Sequence, residues 1–171
     1  MSSAKLGLCL TAVIAVIGLS IQISAKPVQT PLTPEYAKWL HEDVRWIITD
    51  QERAQFLTLK SDSARDQFVI EFWEHRNPTP SSPHNAFKEE HYRRLAFANQ
   101  HFAARTQGDE TDRGRTYIVN GPPDEITSHP DSQNPTEYWY YNHLSDNTKH
   151  ATFEFIDKCH CGDYRLFRIE W

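Results

Sequence analysis

Residues 111–126 read TDRGRTYIVNGPPDEI, with Asp112, Arg113 and Arg115 on one side of an apolar run and Asp124 and Glu125 on the other. Guanidinium and carboxylate groups gathered this way can do two kinds of work. They can pair bidentately and lock a fold, or line a charged pocket that takes a polar ligand or a partner's backbone. Read as an extended segment, Arg113 and Arg115 share one face across Gly114. Pro122 and Pro123 then bend the chain so that Asp124 and Glu125 return toward the start of the run. An internal clamp tying a helical part to a sheet is the first expectation, and the pocket is the second.

His143, His150, Cys159, His160 and Cys161 make up the other cluster of ligand-type side chains. Zinc takes Cys and His, but C-x-C is shorter than the usual C-x₂₋₄-C spacing, and oxidation competes for the thiols. A plain hairpin tip, a disulfide and a metal site are all open on sequence alone. Elsewhere H-E-x-x-H, G-x-S-x-G and the glycine-rich phosphate and dinucleotide loops are absent from the chain. Glu71 and His75, four apart, read as helix-surface partners. His91 reads as a partly buried histidine with a single hydrogen-bond partner. These residues imply no cofactor and no resident metal.

The elements that position these side chains follow from caps and periodicity. Thr33-Pro34 is a helix start, and Tyr36, Leu40, Val44 and Ile47 recur on one face. Thr49 and Glu52 form a T-x-x-E capping box for a second helix. A third helix opens near KSDSARDQ and carries Phe68, Val69, Phe72 and Trp73. The Asn77–Pro83 stretch stops it, and Ser82-Pro83 signals a fourth helix with Phe87, Leu95, Ala98 and Phe102 on one side. From Thr116 the pattern becomes short apolar runs, TYIVN, EYWYYN, ATFEFID and YRLFRIEW, separated by turn signals. Phe153 and Phe155, like Tyr138 and Tyr140, alternate as half-buried strands do. The expected fold is therefore α+β: an N-terminal helical half of about four helices packed on a C-terminal antiparallel β-meander, with Phe72 and Trp73 among the aromatics that cover it.

The N-terminus has the charge pattern of a secretory signal: Lys5, then the apolar run LGLCLTAVIAVIGLSIQI, then Ser24-Ala25. The expected organisation is a signal peptide, or a retained membrane anchor, at 1–25, a proline-rich linker at 26–34 and a domain at 35–171. Export would leave Cys159 and Cys161 as an even pair in an oxidising compartment. With 171 residues and a formal charge of −5, the chain can bury one real core, and it lacks the basic balance of a protein that neutralises phosphates. Nucleic acid is not an expected partner.

TDRGRTYIVNGPPDEI, preceded by DQFVIEFWEHRNPTP and FKEEHYRRLAFAN and followed by EYWYYN, ATFEFID and YRLFR, resembles the GWxTD domain of bacterial exported proteins. The likeness runs from about Tyr36 to the C-terminus. The namesake G-W-x-T-D stands here as Gly108-Asp109-Glu110-Thr111-Asp112, with Asp109 in place of tryptophan. The resemblance implies an exported, periplasmic or envelope-associated domain and carries no activity with it. The expected function is non-enzymatic binding of a protein or envelope component, with membrane contact only through an uncleaved N-terminal segment. The alternative is an enzyme or small polar-ligand binder that uses the charged cluster.

Overall fold

Thr33 enters extended and Pro34 takes the first helical position of α1 (Pro34–Lys38). The chain then widens into a π-helical turn, Trp39–Asp43, closed by the Val44 N–H on the Trp39 carbonyl at 3.0 Å. That turn buries Trp39 and Leu40, and Val44 behind it is fully buried. The computed structural model describes residues 31–80, 82–144 and 150–171. The expected leader at 1–25 and most of the linker lie outside the described residues.

Thr49 and Glu52 close both halves of their capping box: Glu52 N–H donates to Thr49 Oγ1 at 3.1 Å, and Thr49 N–H donates to Glu52 Oε2 at 2.8 Å. They start α2 (Asp50–Thr58). Ser61 caps α3 (Asp62–Glu74), whose Phe68, Phe72 and Trp73 are buried. The next helix, α4 (Ala86–His101), is capped by Asn85 and not by the Ser82-Pro83 pair. Asn85 wins because its amide serves two ends. Its oxygen accepts from Lys88 N–H at 3.0 Å while its Nδ2 donates to the Trp73 carbonyl at 2.6 Å, tying α4 to the end of α3.

The helical half does not end at RTQGDE. A 3₁₀ turn, Gly108–Glu110, leads into α5 (Asp112–Asn120), so TYIVN is helix where a strand was expected. Its β-branched residues favour a strand, but the ends decide otherwise. Thr111 caps the helix by accepting from Gly114 N–H at 3.0 Å. Gly121, at φ +87°, stops it in a backbone region that disfavours a side chain.

The four-stranded antiparallel meander is β1 (Glu125–His129), β2 (Thr136–Tyr141), β3 (Ala151–Ile156) and β4 (Arg165–Glu170), in that order across the sheet. Trp139, paired with Phe153, and Tyr141, paired with Ala151, face inward; Tyr138 and Tyr140 take the opposite face. Strand parity makes that choice all or nothing. The sheet is covered by Ala98 and Phe102 from the α4 end and Tyr117 and Ile118 of α5, packed on Trp139, Tyr141, Phe153 and Phe155. Phe72 and Trp73 sit elsewhere, in a second cluster with Trp39, Leu40, Val44, Phe56 and Phe68. They hold helix to helix. The described residues thus form α+β architecture, with α5 as the helix between the earlier helices and the sheet.

Candidate functional site

The start of α5 is built by backbone contact too close for any side chain. A Cβ on Gly114 would lie 1.8 Å from the Gly108 carbonyl oxygen, and one on Gly108 would lie 1.9 Å from that of Ala98. Thr111 Oγ1 donates to the same Gly108 oxygen at 2.7 Å while capping α5. One residue on, Asp112 Oδ2 accepts from Leu166 N–H at 2.8 Å, so the N-terminal end of α5 pins β4. The T-D-R-G run therefore docks a helix on α4 and on the sheet at once.

Once 112–120 is a helix, its charges redistribute. Asp112, Arg115, Thr116, Val119 and Asn120 stand at i, i+3, i+4, i+7 and i+8, which is one face. With Trp46, Phe153, Leu166 and Ile169 they line a cavity of about 310 Å³. The Arg115 guanidinium lies 4.8 Å from the centre of the Trp46 ring, a cation–π contact. Among the described residues no salt bridge reaches it. Trp46 is itself fixed by its indole N–H, which donates to the Asp109 carbonyl at 2.7 Å. The arrangement offers a cation and a carboxylate around an apolar floor, the buried Thr116 hydroxyl being spent on the Asp112 carbonyl at 2.8 Å, and it suits recognition of a group with an anionic end.

Arg113 points the other way and makes a clamp, with a partner the sequence did not indicate. Its Nη1 donates to Glu137 Oε1 of β2 at 3.0 Å and its Nη2 to the Gly162 carbonyl at 3.1 Å. Its guanidinium also lies 4.3 Å from the Tyr164 ring centre. Asp124 is spent on the chain, accepting from Asn142 N–H at 2.6 Å, and Glu125 is exposed at the start of β1. No ion pair joins Arg113 or Arg115 to Asp124 or Glu125 among the described residues. On a helix Arg113 and Arg115 diverge, so the shared face expected of an extended segment does not exist.

A family model described as the GWxTD domain matches residues 20–170, nearly the whole chain. The chain belongs to the GWxTD domain family. No curated protein and no solved structure matches it.

In this GWxTD domain the namesake stretch is the 3₁₀ turn and cap just described. Asp109, at the tryptophan position, is 2% exposed, and its Oδ1 has no hydrogen-bond partner. Burial raises its pKa above the ordinary carboxylate value, only partly opposed by Arg45. Its backbone is fully used, with N–H donating to Asn99 Oδ1 at 2.8 Å.

The cysteine–histidine cluster resolves into a disulfide, Cys159–Cys161, with Cα atoms 5.2 Å apart. Among the described residues only Asp157 joins these sulfurs in a metal-sized group. His143 and His150 are exposed outside that group, and His160 turns its Nε2 to the Gln133 carbonyl at 3.1 Å. The residues do not assemble the four-ligand set zinc needs. His91 is buried, with Nε2 2.6 Å from the Asp43 carbonyl, and desolvation lowers its pKa. Glu71 and His75 are exposed, and Glu71 accepts from Gln67.

Trp46, Glu137 and Leu166 were invisible as site residues in the sequence. The spacing of 112, 115, 116, 119 and 120 could have revealed the α5 face, had Thr111 and Gly121 been read as a helix start and stop.

Proposed function

We propose that this GWxTD domain is an exported, non-enzymatic module that binds a protein or envelope component, and that the α5–β4 pocket is its recognition site. The observation that carries the reading is Arg115, exposed, 4.8 Å from the centre of the Trp46 ring and without a carboxylate partner among the described residues, in the lining of a pocket with an apolar floor. A cation stacked on an aromatic is preorganised, so little side-chain freedom is lost when an anionic group docks. The apolar run before Lys26 supports work outside the cytoplasm, and the aromatic content suits an interface.

Affinity purification from the native envelope tests this, with the tagged chain and its R115E variant run in parallel. A partner retained by the parent and lost from R115E, with unchanged thermal unfolding, is the expected result. Identical partners on both would remove the pocket from the function. A small polar ligand in the same pocket, the second reading, is favoured by Asp112 lying on the pocket face with Arg115. It would show as a thermal shift with purified small anions that R115E abolishes.

A further inference from the structure

Cys159 and Cys161 lie on an exposed turn, and Cys159 lines a second cavity of about 380 Å³ on the other side of Leu166 from the α5 pocket. Arg105, Lys158 and Arg165 supply three cations to that cavity, against Asp163, which pairs with Arg165 at 2.7 Å. Arg105 and Lys158 make no ion pair among the described residues. The register of β3 and β4 slips between Glu154–Arg168 and Phe155–Leu166, leaving Phe167 unpaired on a bulge. That bulge turns Phe167 outward, 59% exposed, at the cavity wall beside Lys158. The result is a cationic, partly apolar groove that ends on a disulfide sulfur.

We infer that this groove is a thiol–disulfide exchange site for an acidic, cysteine-bearing protein segment. A C-x-C bond encloses one residue, so it contributes little of the loop entropy by which disulfides stabilise folds. It also holds His160 at φ +53°, a left-handed backbone that a side chain disfavours. Neither feature is what a structural staple needs. Both suit a bond that opens.

The exchange has a direction. A substrate thiolate entering the groove attacks Cys159 Sγ, and the electron pair of the breaking S–S bond leaves on Cys161. Asp157 favours this order, because its Oδ1 lies 3.1 Å from Cys159 Sγ and disfavours a thiolate there. Burial raises the Asp157 pKa, but N–H donors of Gly162, Cys161 and Cys159 outweigh it and hold the group anionic. A second substrate thiolate then attacks the substrate sulfur of the mixed disulfide, and Cys159 takes up a proton from water as it leaves, because Asp157 disfavours a thiolate beside it. The substrate dithiol is oxidised to a disulfide, and the protein pair becomes two thiols carrying the two electrons and two protons released. Cys159 S–H then has Asp157 Oδ1 as an acceptor. Cations lining the groove attract the thiolate and the acidic segment that bears it.

The test uses the full chain with C9S, so that only this pair reports. A dithiol peptide with two cysteines among glutamate and leucine residues is the probe, a lysine-for-glutamate copy is the control, and alkylation with intact mass is the readout. The acidic peptide should reduce the bond at least tenfold faster than the lysine copy, and R105E with K158E should erase that preference. C161S should trap a mixed disulfide with the oxidised acidic peptide through Cys159. R115E should leave these rates unchanged, which separates this site from the α5 pocket. Charge-independent rates, rates no faster than for an oxidised 157–163 peptide, or two free thiols in the aerobically purified chain would overturn the proposal.

Discussion

Arg113 of α5 and Glu137 of β2 are paired at 3.0 Å, with side chains 12% and 15% exposed, and the other Glu137 oxygen accepts from Trp139 Nε1 at 3.0 Å. One carboxylate thus orients the central core tryptophan and holds the last helix to the sheet. Two charges kept this far from water are costly to leave alone.

Arg113→Ala should therefore cost about 3 kcal/mol of stability. In a double-mutant cycle with Glu137→Gln, the coupling should be about 1–3 kcal/mol. The same cycle on Arg115 and Glu125 should give less than about 0.5 kcal/mol, since no ion pair joins them among the described residues. Urea unfolding measures both, and equal couplings would contradict the geometry.

Gly114→Ala should be among the most damaging small substitutions, costing about 3 kcal/mol, because the added carbon meets a backbone oxygen that cannot swing aside. Gly162→Ala is the contrast. Its Cβ would enter open space, so only the φ of +83° opposes it, at about 1 kcal/mol. Thermal melts that rank the two in the reverse order would show that the contact between α5 and the 3₁₀ turn is looser than described.

Asp109 should make stability fall with rising pH. Its folded pKa is raised, so its favourable contribution is fully present below the unfolded carboxylate value, and it is lost as pH climbs through the folded one. Asp109→Asn should then be more stable than the parent at pH 7, with the gap closing toward pH 3.5. Unfolding midpoints at several pH values decide it; a gap that widens in acid would mean that Asp109 is stabilised as an anion.

Phe72→Ala and Trp73→Ala should each cost about 3–5 kcal/mol, because both rings are buried. The loss belongs to the helical cluster, so hydrogen exchange should rise first in α1–α3 and least in β2 and β3. Uniform acceleration across the sheet would show that the two clusters melt as one.

Much of the fold was legible where local chemistry is self-contained. Thr33-Pro34, the Thr49–Glu52 box and the Phe68–Trp73 stripe name their helices, and the alternating runs after Thr136 name three of the strands. Over 112–120 the four β-branched or aromatic residues Thr116 to Val119 favour a strand, whereas the caps at Thr111 and Gly121 make a helix. That difference matters most for the site. A strand puts Arg113 and Arg115 together, whereas a helix sends one to Glu137 and the other to Trp46.

What the sequence determined by itself is thus the family, the α+β class and the residue types available for recognition, because caps, periodicity and motif order act over a few residues. Which charges meet was decided only in three dimensions. Asp112 finds Leu166, Arg113 finds Glu137 and Arg115 finds Trp46 across long sequence separations, and these pairings exist only after α5 has packed between α4 and the sheet. Side-chain reach is a few ångströms, and nothing local records who arrives within it.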